Sequence, residues 1–286
     1  MMHTIRIKQV DAFASRPFEG NPAGVVTDAA GLTAQQMQAI AKEMNCSETA
    51  FVLPSGSADL RLRYFTPAQE VDLCGHATIA ALHALREEGL VQGTLRAETA
   101  VGILELEAGE DMHWMRQDTP RFRPAEESAD VICGLLGLDP GDLDPAMPTG
   151  IAYTGLWDLL VPVRSLEALR RSQPDMRELA RHNRSQGIVS THLFCRETEL
   201  PGSTLHTRDF SPAAGVPEDP HTGTASGALG SFLVRAGVLE PGSHLFEQGW
   251  TVGRPGLIHV EVATAAAGVR VGGAAVTVIS GSIALG

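Results

Sequence analysis

The sequence predicts an α/β protein built from two similar lobes, and three observations carry that reading. The chain has 286 residues, enough for two domains of roughly 150 residues each. Period-two and helix-period hydrophobic patterns take turns along its whole length, with no low-complexity tract. Finally, one unit occurs twice: a strand, Phe-x-Pro, a polar loop, a glycine and a helix ending in a second glycine. Phe65-Thr66-Pro67 leads to Gly75 and Gly89, and Phe210-Ser211-Pro212 leads to Gly223 and Gly237. The Phe-x-Pro copies are 145 positions apart and the glycines 148. At the first offset Cys74 meets Asp219, which places a three-residue insertion just after Asp219.

Residues 5–13 alternate as a strand, and Gly20-Asn21-Pro22 turns the chain into a second one at 23–26. Thr33 and Gln36 form a capping box for a helix carrying Met37, Ile40, Ala41 and Met44 at helical spacing. Residues 48–52 read as a strand, and Leu60, Leu62 and Tyr64 as its hairpin partner. A polar loop over 66–72 enters an amphipathic helix with Ile79, Leu82, His83 and Leu85. Strands follow near 94–99, 101–107 and 111–116. The polar, proline-bearing stretch 117–127 is the best candidate linker. It divides an N-terminal lobe, 1–117, from a C-terminal lobe, 118–271. The second lobe offers helices at 128–136, 165–171, 174–183 and 223–236, with strands near 150–163, 187–195 and 203–209. A loop covers 210–222, and the chain ends in β-rich sequence turned at Gly253-Arg254-Pro255-Gly256.

Composition excludes several functions. With 22 Lys plus Arg against 34 Asp plus Glu the net charge is −12. Such a surface repels phosphate backbones, so no nucleic-acid partner is expected. Cys46, Cys74, Cys133 and Cys195 follow no CxxC or zinc spacing and read as free thiols of a reducing cytoplasm. The N-terminus lacks the apolar run of a signal peptide, and no stretch approaches the ~20 apolar residues of a membrane span. GxxxxGK[ST], GxGxxG, HExxH and GxSxG are all missing, and the 10 histidines show no metal-ligand spacing. A pyridoxal phosphate enzyme needs a Schiff-base lysine. Lys8 and Lys42, on a strand and on the polar side of a helix, are poor candidates. No cofactor and no metal are therefore expected.

Three segments remain for chemistry. Glu48 opens an apolar strand, where desolvation raises a carboxyl's pKa and suits it to proton transfer; a surface Glu at a strand edge is the alternative. In Cys74-Gly75-His76-Ala77-Thr78 a thiol and an imidazole flank a glycine at a helix start. Capping and simple burial explain the same residues without chemistry. In Asp219-Pro220-His221-Thr222-Gly223-Thr224 a carboxylate and two hydroxyls precede or open a helix. They could bind a carboxylate, cap the helix, or do both. Two facing lobes would aim two helix N-termini at one small anion.

In order, these residues resemble the phenazine biosynthesis PhzF-like isomerases, within the diaminopimelate epimerase-like fold. The resemblance rests on Val10-Asp11-Ala12-Phe13 with Gly20-Asn21-Pro22, on Ser47-Glu48-Thr49-Ala50-Phe51, and on Arg63-Tyr64-Phe65-Thr66-Pro67 through Cys74-Gly75-His76-Ala77-Thr78. It continues in Arg208-Asp209-Phe210-Ser211-Pro212 through Glu218-Asp219-Pro220-His221-Thr222-Gly223-Thr224-Ala225, and in Gln248-Gly249 with Gly253-Arg254-Pro255-Gly256. It implies two pseudo-symmetric lobes, each a curved, mostly antiparallel sheet around a central helix. Strands from about 272–286 would complete the first lobe. It further implies a homodimer without cofactor. Members with an assigned reaction isomerise a dihydro-hydroxyanthranilate, a carboxylate moving a proton from one ring carbon to another. Glu48, His76 and Asp219 match the catalytic positions, and Asn21, Cys74, Gly75, Gly223 and Thr224 the substrate-binding ones. The family often has Ser where this chain has Thr224, which keeps the hydroxyl. Epimerases of the same fold use one thiol from each lobe. Here Asp219 stands opposite Cys74, which disfavours a two-thiol racemase and leaves a thiol–carboxylate epimerase, or a non-catalytic binding protein, as alternatives.

Overall fold

The computed structural model describes residues 3–263 and 268–285; Met1 and Met2 of the N-terminal reading lie outside them. It contains two compact units, Met1–Arg116 with Gly272–Gly286, and Gln117–Val271.

The first unit is a mostly antiparallel sheet around a helix. Its strands are β1 (His3–Ala12), β2 (Asn21–Val26), β3 (Glu48–Leu53), β4 (Leu60–Phe65), the two-residue β5 (Glu70–Val71), β6 (Gly93–Thr99), β7 (Gly102–Ala108) and β8 (His113–Arg116). The last strand of the chain, β18 (Ala275–Leu285), pairs antiparallel with β1. Two neighbour pairs are parallel, β2 with β3 and β4 with β6. A parallel pair needs a crossover. Helix α1 (Ala34–Met44) supplies the first and α2 (Gly75–Glu87) the second. Thr33 and Gln36 do form the capping box. Met37 and Ile40 of α1 pack with Val26, Phe51 and Phe65 on one face of the sheet.

The other face holds α2, the central helix that the resemblance implies, although periodicity alone marks it as amphipathic. Every residue from Gly75 to Leu82 is buried, as are Ala84 and Leu85. A helix that is apolar or small all round belongs inside a fold. Four alanines let the curled sheet close around it.

The second unit repeats the frame. Its strands are β9 (Arg121–Arg123), β10 (Gly150–Tyr153), β11 (Trp157–Pro162), β12 (Ser190–Cys195), β13 (Leu205–Ser211), β14 (Val216–Asp219), β15 (Gly242–Gln248) and β16 (Gly256–Val262). β17 (Val269–Gly273) runs across the boundary. Again two pairs are parallel, β11 with β12 and β13 with β15. The helices are α3 (Ala129–Leu136), α4 (Leu166–Arg171), α5 (Met176–Gln186) and the central α6 (Gly223–Arg235). Helices α3 to α5 pack through Ile132, Leu136, Leu169 and Leu179 on Leu159, Leu193 and Phe210. The stretch read as a linker is built into this unit. Arg121–Arg123 pairs with β10, and buried Gln117 donates to the Gly223 carbonyl at 2.8 Å. Gln117 also fills the space that a Cβ on Gly227 would need. Likewise, the two polar loops contain β5 and β14, both short pieces paired to a neighbour.

Strand register relocates the insertion in the repeat. Leu60 pairs with Ala97 as Leu205 pairs with Phe246, and Tyr64 pairs with Val71 as Asp209 pairs with Asp219. Arg63 grips Glu70 at 2.7 and 2.8 Å, and Arg208 grips Glu218 at 2.9 Å through both nitrogens. Asp219 is thus the counterpart of Val71, not of Cys74. The extra residues lie earlier, around the tight turn Pro212–Ala214. The counterpart of Cys74 is Thr222: each is the N-cap residue of its central helix.

Candidate functional site

In the first unit Glu48, Cys74 and His76 meet. Glu48 opens β3, and alternation along that strand puts its side chain on the face of Ala50 and Val52, towards α2. Phe51 goes to the α1 face. His76 is the second residue of α2, so the helix start brings its ring to the end of β3. The His76 Nε2 and Glu48 Oε2 atoms are 3.3 Å apart, and the side chains are 6% and 15% exposed. Ser47 Oγ lies 3.1 Å from the same Nε2. Cys74 Sγ sits beside the ring, 3.4 Å from Nδ1 and 3.8 Å from Nε2. Its thiol makes no capping bond to the helix. Below, Thr78 donates to the Cys74 carbonyl at 2.7 Å, and Tyr64 Oη lies 2.6 Å from the Thr78 hydroxyl. These fully buried contacts fix the first turn of α2 and hence the cysteine and histidine.

Burial pushes the Glu48 carboxyl above the usual carboxylate range, opposed in part by the nearby Ser47 hydroxyl and Cys74 thiol. Its Oε2 is sealed from solvent yet accepts no hydrogen bond of proper geometry. A sealed acceptor without a donor is costly for a structural residue, about 1–3 kcal/mol. Such a carboxyl is poised to take a proton. Gly75 begins the helix, and Asn21 is buried at the start of β2, two residues before Ala23, the registered neighbour of Glu48. Glu48, Cys74 and His76 each offer a ligand atom within 4.8 Å of the others, so they are also a potential metal donor set.

The second unit gathers the other expected residues at the start of α6. Thr222 donates to Asp219 Oδ2 at 2.7 Å. Gln248 binds the loop through its Nε2, which donates to the Asp219 carbonyl at 2.8 Å, and its Oε1, which accepts from Thr222 N–H at 3.1 Å. Gly223 and Thr224 are buried, and the Thr224 carbonyl accepts from Thr154 Oγ1 at 3.1 Å.

Sequence reasoning did not assign roles to Ser47 or Gln248, although both stand in the quoted motifs. It also missed a sealed cluster beneath α6. Ser190 Oγ lies 2.7 Å from Asp209 Oδ1 and 2.9 Å from Asp158 Oδ1. His192 Nδ1 is 2.9 Å from Asp209 Oδ1, and Ser211 donates to Oδ2 at 2.6 Å. The available signal was an Asp inside the apolar run of β11.

A family model described as phenazine biosynthesis-like protein, PhzC-PhzF, matches residues 10–281. The chain belongs to this family. A Bacillus subtilis relative bearing the name uncharacterized isomerase YfhB is 38% identical over 277 residues, 94% of each chain. The trans-2,3-dihydro-3-hydroxyanthranilate isomerase of Pseudomonas chlororaphis is 35% identical over 256 residues, 87% of each. The crystal structure of a PhzF-family protein from Bacillus anthracis superposes with a TM-score of 0.91 at 37% identity, covering 99% of both chains. A hydroxyproline epimerase from Agrobacterium vitis shares the fold, with a TM-score of 0.65 at 17% identity over 99% of this chain and 92% of that one. This PhzF-family chain is an isomerase on a mixed α/β fold with strongly curled sheets. Among the described residues no helix is long and apolar enough to cross a membrane.

Proposed function

We propose that this PhzF-family isomerase moves a proton between two carbons of a small, carboxylate-bearing substrate, with trans-2,3-dihydro-3-hydroxyanthranilate as the first compound to try. The observation that carries the reading is the Glu48 carboxyl, desolvated, with a sealed oxygen 3.3 Å from His76. Glu48 as carboxylate takes the proton from one carbon while the electron pair shifts through the adjoining double bond. The resulting acid returns the proton to the carbon at the far end. Nothing is oxidised or reduced, so the step requires no cofactor. His76 steadies Glu48 in both states, because an imidazole can donate or accept.

In the second unit, taken by itself, Gly223 and Thr224 at the start of α6, beside Asp219, form an arrangement suited to hold a carboxylate or assist its protonation. The same reading includes a reducing, cytoplasmic setting, supported by four buried, unbridged thiols, and a homodimer, which light scattering at micromolar concentration tests.

The decisive experiment follows the candidate substrate by proton NMR in D2O. Single-site transfer by a solvent-exchanging acid puts deuterium at the accepting carbon. Glu48→Gln keeps the shape and removes the base, so turnover falls ~10²–10⁴-fold. Undiminished turnover in this variant overturns the reading. Proximity of Cys74 to His76 favours, as a second reading, an amino-acid epimerase. Its mark is deuterium at an α-carbon that disappears in Cys74→Ser.

A further inference from the structure

We propose that Glu48, Cys74 and His76 form a three-ligand site for a soft divalent cation of the Zn²⁺ type, which inhibits the isomerase by occupying its base. The coordination part stands on geometry alone; the inhibitory part rests on the role given to Glu48 above.

Zinc binds imidazole nitrogen, carboxylate oxygen and thiolate sulfur at ~2.0–2.3 Å in a tetrahedron, whose edges are then about 3.3–3.6 Å. The protein already holds Nε2 and Oε2 at 3.3 Å and Nε2 and Sγ at 3.8 Å, and each of the three residues offers a ligand atom within 4.8 Å of the others. A small turn of the His76 ring about its broad terminal torsion aims the nitrogen at the centre. The Oε2 atom accepts no hydrogen bond of proper geometry, so a metal displaces only its 3.3 Å contact with His76 Nε2. Three protein ligands leave a fourth position for water, the arrangement of an open rather than a structural zinc site. A thiol and an imidazole select soft or borderline ions over Mg²⁺ and Ca²⁺.

Charge points the same way. The thiol gives up its proton to solvent as the metal–sulfur bond forms, and the carboxyl binds as its anion. The dication with thiolate and carboxylate is then neutral overall, which removes most of the cost of burying each charge alone. The net charge of −12 also concentrates cations near the surface. Affinity therefore rises with pH, as proton release requires.

The test titrates Co²⁺ into the full-length, metal-stripped protein without substrate and records its absorption spectrum. One equivalent of Co²⁺ should give intense tetrahedral visible bands and a near-ultraviolet thiolate-to-cobalt band, both bleached by Zn²⁺. Cys46→Ser should keep the thiolate band, and Cys74→Ser should abolish it. His76→Ala should weaken binding more than about tenfold. Circular dichroism establishes that each variant is folded, and Cys74→Ala serves where Cys74→Ser is not. Absence of the thiolate band at millimolar Co²⁺, or its survival in a folded Cys74 variant, overturns the proposal. The spectrum needs no turnover, so it reports the site even if the substrate reading fails. Conversely, Glu48→Gln inactivity with a featureless cobalt spectrum removes this inference alone. Where turnover is measured, micromolar Zn²⁺ should slow it and a chelator restore it; a rate indifferent to bound Zn²⁺ overturns the inhibitory part.

Discussion

Glu48 on β3 and Ser190 on β12 occupy the same place in two copies of one frame. Thr49 pairs with Phe65 as Thr191 pairs with Phe210, and the residue before each threonine is Glu48 in one unit and Ser190 in the other. On the parallel neighbour, Ala23 stands beside Glu48 and Asp158 beside Ser190. Across the hairpin, Tyr64 corresponds to Asp209. The first unit thus puts one carboxylate on the strand among apolar and aromatic neighbours. The second puts a hydroxyl on the strand between two carboxylates. In the first, Glu48 remains 15% exposed and one oxygen lacks a hydrogen bond. In the second, Asp209 and His192 are wholly sealed, and Asp209 collects contacts from Ser190, His192 and Ser211. An acid that is desolvated but under-bonded is available for chemistry; one that is over-bonded is committed to the fold.

The strongest test of that contrast is rate against stability. Glu48→Gln should cost ~10²–10⁴-fold in turnover while leaving the urea midpoint unchanged or raised, because it removes a buried carboxyl whose Oε2 accepts no hydrogen bond. Asp209→Ala should do its damage in the other quantity. It strips the partner from three buried groups, and loss of one side of such a network costs about 3–5 kcal/mol. Urea unfolding followed by far-ultraviolet dichroism measures both. A stable Asp209→Ala protein, or an unstable Glu48→Gln one, would erase the distinction.

Most of the frame is legible in the sequence because periodicity records which faces are buried. The capping box at Thr33 fixed the start of α1, and the period-two run of Leu60, Leu62 and Tyr64 marked β4. Loops carry no such period. Pro212-Ala213-Ala214 and Thr66 to Asp72 offered no register, so Asp219 was matched to Cys74 when its strand partner makes it the equivalent of Val71. The burial of α2 was hidden for a different reason. Alanine and glycine are neutral in a helical pattern, so a small-residue core helix reads as an amphipathic one. The Asp158 cluster was missed because its members come from three strands, and only pairing brings them together.

The pH response of turnover sharpens the comparison further. Glu48 must be ionised to accept the first proton, and burial holds its pKa up. The acidic limb of kcat/KM should therefore lie above the value of an ordinary glutamate, and activity should fall as pH drops through it. Ser47→Ala removes a hydroxyl 3.1 Å from His76 Nε2. A lost hydrogen bond of about 1 kcal/mol corresponds to a several-fold lower turnover, with stability little changed. A limb at the ordinary glutamate value would show that Glu48 is solvated in the working enzyme.

The smallest effect at acidic pH, and the most specific, belongs to Asp158→Asn. One serine hydroxyl carries one proton. Ser190 therefore donates to a single carboxylate, Asp209 at 2.7 Å, and its contact with Asp158 at 2.9 Å needs the proton to come from Asp158. Full burial and the neighbouring Asp209 charge raise the Asp158 pKa well above its ordinary value, which agrees with a neutral acid. A carboxyl raised in the folded state favours folding most below its unfolded pKa, and that contribution drains away as pH rises through the folded pKa. The slope approaches about 1.4 kcal/mol per pH unit for one proton. Asparagine keeps a donor for Ser190 and cannot ionise. The variant should match the parent within about 1 kcal/mol below the unfolded-state carboxyl pKa, then gain on it steadily as pH rises for as long as folded Asp158 stays neutral, and hold a constant lead above the folded pKa. Parallel stability curves from pH 5 to 9 would mean that Asp158 is already charged in the folded protein, with both acids somehow sharing a single hydroxyl proton.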